Sequence, residues 1–403
     1  MNPDLQRLQA YPFEKLAALK NGIEPNVKRD AILLSVGEPK HAPPQFVLDS
    51  ITQNLHGLSQ YPSTRGSDTL RGAIADWLNQ RFKLDAAPAQ FDRHVLPVNG
   101  TREALFAFAQ CVVDRTRSSD TVLIPNPFYQ IYEGAALLAG LAPRFYNTGP
   151  DNDYQPEFSD LNEDEWNRCQ LLYICSPGNP TGAVLSEETL TALIERAHKH
   201  DFVIAADECY SEIYNDEGNP PNGLLQACVN AGVKDFSRCI VFHSLSKRSN
   251  LPGLRSGFVA GDPALIDAFF KFRTYHGCAM SPVTQSASAS AWRDEQHVVE
   301  NRALYRRKFA DAVDILSDVN SVEINVPDAG FYLWPQLPIN DETFTRALFE
   351  QHNVTVLPGQ YLGREHAGTN PGKNHVRIAL VAESAQCSAG ISAIRYTLKS
   401  LEL

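Results

Sequence analysis

No Cys-x-x-Cys pair occurs among the eight cysteines, at 111, 169, 175, 209, 228, 239, 278 and 387, and none stands with histidine at metal-ligand spacing. That argues against a zinc or dithiol-redox centre and leaves them as small buried apolar residues in a reducing compartment. No apolar run reaches the ~20 residues needed to cross a membrane. The opening Met-Asn-Pro-Asp-Leu-Gln-Arg-Leu has neither the charged nor the apolar region of a secretory signal, so a cytoplasmic chain with no membrane partner is expected. Positive charge is also short: Lys and Arg number 36 against 47 Asp and Glu, a net charge of -11. A general nucleic-acid binder would need a basic face, so small molecules are the expected partners. Fixed-period repeats, low-complexity tracts and long linkers are missing as well.

What remains is a chain of 403 residues, 43% hydrophobic and 21% charged, too long for one ordinary core and so expected to form two domains. From about residue 95 to 260, short branched-chain runs alternate with segments of helical period, the βαβ signature of a mostly parallel sheet in an α/β fold. The strands are expected at Val95–Val98, Thr121–Ile124, Arg144–Asn147, Leu171–Cys175, Val203–Ala206, Ile240–His243 and Gly257–Gly261. Helices are expected at Glu103–Asp114, Tyr129–Ala139 and, after a Ser186 cap, Glu187–His200. Beyond about residue 290 the pattern becomes a long helix, Asp294–Leu316, antiparallel segments near Phe331–Pro335 and Val376–Ala382, and a closing helix, Ser384–Leu401. This predicts a large domain over 45–290 and a smaller α+β domain from 1–44 with 291–403.

Ligands in open parallel sheets bind beyond the carboxyl ends of the strands, so polar residues placed directly after several strands belong together. Asn99-Gly100-Thr101-Arg102 combines a glycine with a helix start, which suits a phosphate. Ser176-Pro177-Gly178-Asn179-Pro180-Thr181-Gly182 is a stiffened loop that would hold Asn179 in one direction. Asp207-Glu208-Cys209-Tyr210 ends a buried strand, where an ionised Asp207 needs a cation: an arginine or a protonated pyridine nitrogen. Phe242 to Gly257 carries Ser244, Ser246, Lys247 and Arg255, an amine able to capture a carbonyl beside groups able to bind an anion. Alone, each set is equally a plain turn, cap or solvated loop. Together they supply an aldehyde trap, a phosphate cradle, a ring-oxygen donor and a pyridinium counter-ion, which are the needs of pyridoxal phosphate. No metal site is expected.

The same motifs, with Tyr61, Leu70-Arg71, Arg255-x-Gly257 and Arg377 in His-Val-Arg-Ile-Ala-Leu, resemble the class I and II pyridoxal phosphate aminotransferases of fold type I over nearly the whole chain. The resemblance implies that Lys247 forms the Schiff base, Asp207 pairs with the ring nitrogen, and Asn179 and Tyr210 bind the ring oxygen. It also implies that Gly100, Thr101, Arg102, Ser244, Ser246 and Arg255 hold the phosphate, joined by Tyr61 from the neighbouring subunit of a homodimer. Tyr129 would stack on the ring, Arg377 would clamp the substrate α-carboxylate, and Gly37 would line the substrate pocket.

The stretches 97–106, 126–140, 243–261 and 275–277 are similar to one subgroup, the bacterial N-succinyldiaminopimelate aminotransferases. That implies ping-pong exchange between glutamate and N-succinyl-2-amino-6-oxopimelate in lysine and diaminopimelate biosynthesis. Aspartate, aromatic or N-acetylornithine-type aminotransferases, a β-lyase and a cofactor-binding regulatory module remain open; the last is disfavoured because residues 1–30 are too short for a helix-turn-helix. Arg65, Lys40 and the Arg273–Gly277 segment are the candidates for recognising a distal carboxylate.

Overall fold

The computed structural model describes residues 1–156, 158 and 161–401; residues 402 and 403, at the end of the expected smaller domain, lie outside them. Its centre is a seven-stranded sheet of β1 (Val95–Val98), β2 (Thr121–Asn126), β3 (Ala142–Asn147), β4 (Cys169–Cys175), β5 (Val203–Asp207), β6 (Cys239–Ser244) and β7 (Gly257–Gly261). Across the sheet the order is β1-β7-β6-β5-β4-β2-β3. All pairings are parallel except those of β7, which runs against both β6 and β1.

Strand side chains alternate between faces, and here both faces are dry, which is why the strands read as nearly unbroken apolar runs. Leu172, Ile174, Ile204, Ala206, Val241 and Phe258 belong to one core cluster, together with Ile74, Leu190, Leu225 and Trp292 of the helices above it. Leu171, Tyr173, Ala205, Ile240, Phe242 and Val259 belong to the opposite cluster, with Leu105, Phe108, Tyr132 and Phe269. A third cluster gathers Leu34, Phe309, Leu333, Phe344, Val376, Ile378 and Ile391 from both chain ends. Ile32–Leu33 joins it by pairing in parallel with Val354–Thr355, and Val376–Ala379 lies antiparallel to Tyr332–Leu333 and to Leu357–Pro358.

All seven expected strands are present, five of them one or two residues longer. The first crossover helix, α1 (Thr101–Val112), begins two residues before the expected Glu103, because the chain turns at Gly100 with φ +89°. The helix expected from Tyr129 begins at Ile131, giving α2 (Ile131–Leu138). The helix α3 (Glu187–His200) is capped by Ser186, whose hydroxyl accepts from the Thr189 amide. The long helix expected from Asp294 starts at Gln296, since Asp294 Oδ1 is engaged in accepting from the His297 amide at 3.0 Å.

Removing the α3 cap leaves a first-turn amide without its partner and should lower stability by about 1 kcal/mol. Urea unfolding of Ser186→Ala against the parent chain measures this, and an unchanged midpoint would contradict the cap.

Candidate active site

The register of the parallel strands sets Cys175 beside Asp207 and Asp207 beside Phe242, so the loops leaving β4, β5 and β6 emerge at one edge. A cavity of about 470 Å³ lies there, walled by Thr101, Arg102, Tyr129, Asn179, Asp207, Tyr210, Ser244, Ser246, Lys247, Arg255, Arg377 and Gly37. A larger cleft of about 690 Å³, between residues 150–154 and 321–338, has no lysine or arginine on its walls. Chemistry rather than size therefore selects the first.

Lys247 sits in a four-residue helix, Leu245–Arg248, whose first turn is capped by Ser244 Oγ accepting from the Ser246 amide at 3.1 Å. The next residue anchors it. Arg248 is 1% exposed, donates to the carbonyls of Ala291 at 2.7 Å and Asp294 at 3.1 Å, and pairs with Glu295. With its neighbour fixed behind it, Lys247 points into the cavity, where Nζ donates to the Gly37 carbonyl and lies 5.1 Å from the Phe331 ring centre. Burial first, and then the Arg377 charge, bring the amine down to about 8, against the opposing pull of Cys209, Glu38 and Asp207.

Asp207 ends β5 and is 5% exposed. Its Oδ2 accepts from Tyr132 Oη at 2.6 Å and its Oδ1 from the Cys209 amide at 3.3 Å. Among the described residues no arginine or other cation forms an ion pair with it, which decides against the salt-bridge alternative. Burial pushes its carboxyl upward, partly offset by the hydrogen bonds from Cys209 and Tyr132. A buried carboxylate of this kind calls for a cationic partner.

At the cavity's other end, α1 starts without a side-chain cap, leaving its first amides for an anion. A Cβ on Gly100 would run into the Arg255 guanidinium, with Cζ only 2.9 Å away. Gly100 itself does not reach the cavity wall; its bare backbone makes room for Arg255. Arg255 is also in a left-handed conformation, φ +53°, and donates to the Pro252 carbonyl at 2.9 Å. An unpaired buried acid, an uncapped helix start beside an arginine and an amine of lowered basicity fit the ring nitrogen, phosphate and aldehyde of pyridoxal phosphate.

Arg377, 5% exposed, donates from Nη1 to Asn179 Oδ1 at 3.0 Å and from Nη2 to the Ser35 carbonyl at 2.8 Å. The first bond occupies the Asn179 oxygen and leaves its amide nitrogen as the donor. Tyr210 Oη is 3.0 Å from Tyr332 Oη, and the Arg377 guanidinium lies 4.5 Å from the Tyr332 ring centre. A Cβ on Gly37 would overlap the Tyr332 hydroxyl, so only glycine lets that irregular segment pass.

Tyr61, expected to act from a neighbouring subunit, is fully exposed, at 103%, and stands outside its own chain's cavity. Arg65 pairs with Asp267 at 2.9 Å, Lys40 pairs with Glu38, and Arg273 is wholly buried against Glu103 at 2.6 Å. None of the three lines the cavity; their charges are used in local pairs. Arg102 does line it, with its guanidinium 5.6 Å from the Tyr11 ring centre. The cysteines are all free, but only Cys169, Cys228, Cys239 and Cys387 are buried, and Cys209 lines the cavity. Glu103, His276 and Cys278 each bring one ligand atom within 4.8 Å of the others, a cluster their sequence spacing conceals, but the Arg273 charge on Glu103 opposes a metal cation there.

Tyr132, Tyr332, Tyr11 and Cys209 escaped the sequence reading. For Tyr132 a signal existed: it stands three residues after Tyr129 in a helical segment, on the same face. Tyr332 had none beyond its place in a short antiparallel run.

The profile described as aminotransferase class I and II matches residues 29–394. The LL-diaminopimelate aminotransferase of Maridesulfovibrio salexigens is 29% identical over 397 residues, 97% of either chain. That of Nitratidesulfovibrio vulgaris is 30% identical over 370 residues, 91% of either chain. Among solved structures, an aminotransferase from Neisseria meningitidis is 44% identical with a TM-score of 0.93, covering 98% of this chain and 99% of the other. Aminotransferase AspB from Helicobacter pylori is 36% identical with a TM-score of 0.88, covering 97% and 99%.

Only the neutral amine captures a carbonyl, so cofactor-free protein should take up an aldehyde at a rate that climbs about tenfold from pH 6 to 7 and levels off above about 8. A pH profile of pyridoxal phosphate uptake reads this directly; a rate still rising tenfold per unit through pH 9 would contradict the lowered value.

Proposed function

The chain belongs to the class I and II aminotransferases, enzymes dependent on pyridoxal phosphate, and from that premise we propose that it transfers amino groups between glutamate and N-succinyl-2-amino-6-oxopimelate in diaminopimelate and lysine biosynthesis. The observation that carries the aminotransferase reading is the cation set of the cavity: Lys247 for the aldehyde, Arg102 and Arg255 for the phosphate and Arg377 for the substrate α-carboxylate, beside Asp207. The likeness of stretches 97–106 and 243–261 to succinyldiaminopimelate enzymes supports the succinylated form. The relatives named LL-diaminopimelate aminotransferases favour a second reading, in which the unacylated compound is the substrate.

When bound, pyridoxal phosphate supplies an aldehyde that condenses with amines and a ring that withdraws electrons from the carbon bearing the amino group. The protein's residues do the rest. Arg377 receives the substrate carboxylate on its fork, already oriented by Asn179 and Ser35, and so fixes which face of the α-carbon meets Lys247. Lys247 Nζ, neutral above about pH 8, would be the base that takes the α-proton. Asp207 would pair with the ring nitrogen, Asn179 Nδ2 and Tyr210 Oη would bind the ring oxygen, and Tyr129 would cover the ring. Thr101, Arg102, Ser244, Ser246 and Arg255 would hold the phosphate, with Gly100 making room for Arg255.

Tyr61, standing free of its own chain, is assigned to the cavity of a second copy, in a homodimer of cytoplasmic enzyme. The division into 45–290 and 1–44 with 291–403 follows the separate apolar cluster of the chain ends.

Glutamate-driven amination of the succinylated keto acid should exceed that of unacylated diaminopimelate substrates and of aspartate, phenylpyruvate or N-acetylornithine partners, measured as kcat/KM across one panel. Preference for the unacylated compound would replace the substrate and keep the aminotransferase; pyruvate and ammonia release would overturn both. Arg377→Lys, which loses the bidentate contact, should reduce kcat/KM about ten- to a hundredfold for every amino acid tested. A normal value would remove Arg377 from its assigned place.

A further inference from the structure

The hydroxyl of Tyr132 lies 2.6 Å from Asp207 Oδ2, and Tyr132 is 0% exposed, so no water can take its place at that oxygen. The phenol is also held rigidly. Its ring stacks on Tyr173 at 4.8 Å with 13° between planes, and Tyr173 is tied by its own hydroxyl to the Leu105 carbonyl at 2.7 Å. On the other side it meets Tyr129 edge-on at 5.8 Å and 88°. One side chain therefore touches both the carboxylate at the end of β5 and the aromatic wall of the cavity.

The two oxygens of Asp207 are unequally served. Oδ2 has this short bond from a phenol, whereas the Cys209 amide reaches Oδ1 only at 3.3 Å, with the Cys209 thiol, a weak donor, also facing the carboxylate. A carboxylate oxygen has two acceptor sites, so Oδ1 retains capacity for a stronger donor such as a ring N–H. We propose that Tyr132 is a positioning residue that keeps Asp207 ionised and oriented, so that the proton shared with the cofactor's ring nitrogen resides on the nitrogen and not on the carboxylate. This rests on the assignment of Asp207 to that nitrogen.

The sign follows from the chemistry. A hydrogen bond to the anion stabilises it and makes the acid stronger; deleting the donor makes the carboxylate a better base. In this dry environment, where desolvation already drives the carboxyl upward, the loss draws the shared proton toward Asp207. The titratable groups facing Asp207 are Tyr129, Tyr132, Tyr173, Cys175, Cys209, His243 and Lys247. Of these, Tyr132 supplies the shortest bond to it. A buried phenol needs some partner whatever its function, so the test must separate a structural bond from one that sets the proton.

The test follows the Asp207 carboxyl band by infrared titration in the full chain cleared of cofactor, assigned by its loss in Asp207→Asn. Tyr132→Phe should move its midpoint upward by about one pH unit, the tenfold change expected of a hydrogen bond to a charged acceptor. Tyr146→Phe deletes another buried phenol, one bonded to the Tyr173 carbonyl at 2.8 Å, and should leave the midpoint in place. In holoenzyme loaded with ¹⁵N-labelled pyridoxal phosphate, Tyr132→Phe should shift the ring-nitrogen resonance toward the unprotonated position. If Tyr132→Phe does not fold, 3-fluorotyrosine at position 132, a stronger donor, should move the midpoint downward. An unmoved midpoint in either variant overturns the proposal. A ring-nitrogen resonance unaltered in Asp207→Asn would instead overturn the role of Asp207, whatever Tyr132 does.

Discussion

The site is organised around a carboxylate removed from water before any cation is there to meet it. Asp207 closes a strand flanked on both sides by parallel neighbours, and both faces of that sheet are packed. Such a position has a desolvation cost that the protein offsets only in part, with one phenol and one amide. A ligand presenting a protonated nitrogen completes the arrangement, and burial makes that pairing selective. The same sheet edge sets the distance to the lysine, because β5 and β6 are adjacent and in register, and Lys247 follows the end of β6 by three residues.

Charge is distributed on two scales. The chain as a whole is acidic, with a net charge of -11, while the cavity gathers Lys247, Arg102, Arg255 and Arg377. The contrast concentrates favourable potential for anions at one place on an otherwise repelling surface. It also explains why Lys247 loses basicity: burial and the Arg377 charge act in the same direction. The arginine proposed to orient the substrate thereby also lowers the basicity of the lysine.

Much of this was legible in the sequence because its physics is local. Strand ends follow from where apolar runs stop, and the Ser186 cap, the stiff loop around Asn179 and the polar set after Phe242 each depend on a few consecutive residues. Most of the residues that share the cavity were found in that way. What the sequence did not show concerns pairing that folding brings about. Arg273 sits in a polar-looking helix end, but its partner, Glu103, is 170 positions away, so its burial left no mark on the local pattern. Arg65 likewise pairs with Asp267, 202 positions away, whereas Lys40 has its partner, Glu38, two residues off. Tyr332 joins the site because two chain ends separated by some 300 residues pack together, placing its hydroxyl against Gly37 and Tyr210. Tyr132 was half visible, sharing a helical face with Tyr129, but its bond to Asp207 depends on how α2 lies on the sheet.

The central claim is that the amine of Lys247 and no other is poised for covalent capture beside Asp207. Borohydride reduction of the protein with pyridoxal phosphate, followed by peptide mass spectrometry, tests it most directly. The account predicts a single stable pyridoxyl label on Lys247, in one-to-one amount. A label spread over surface lysines, or none at position 247, would contradict it.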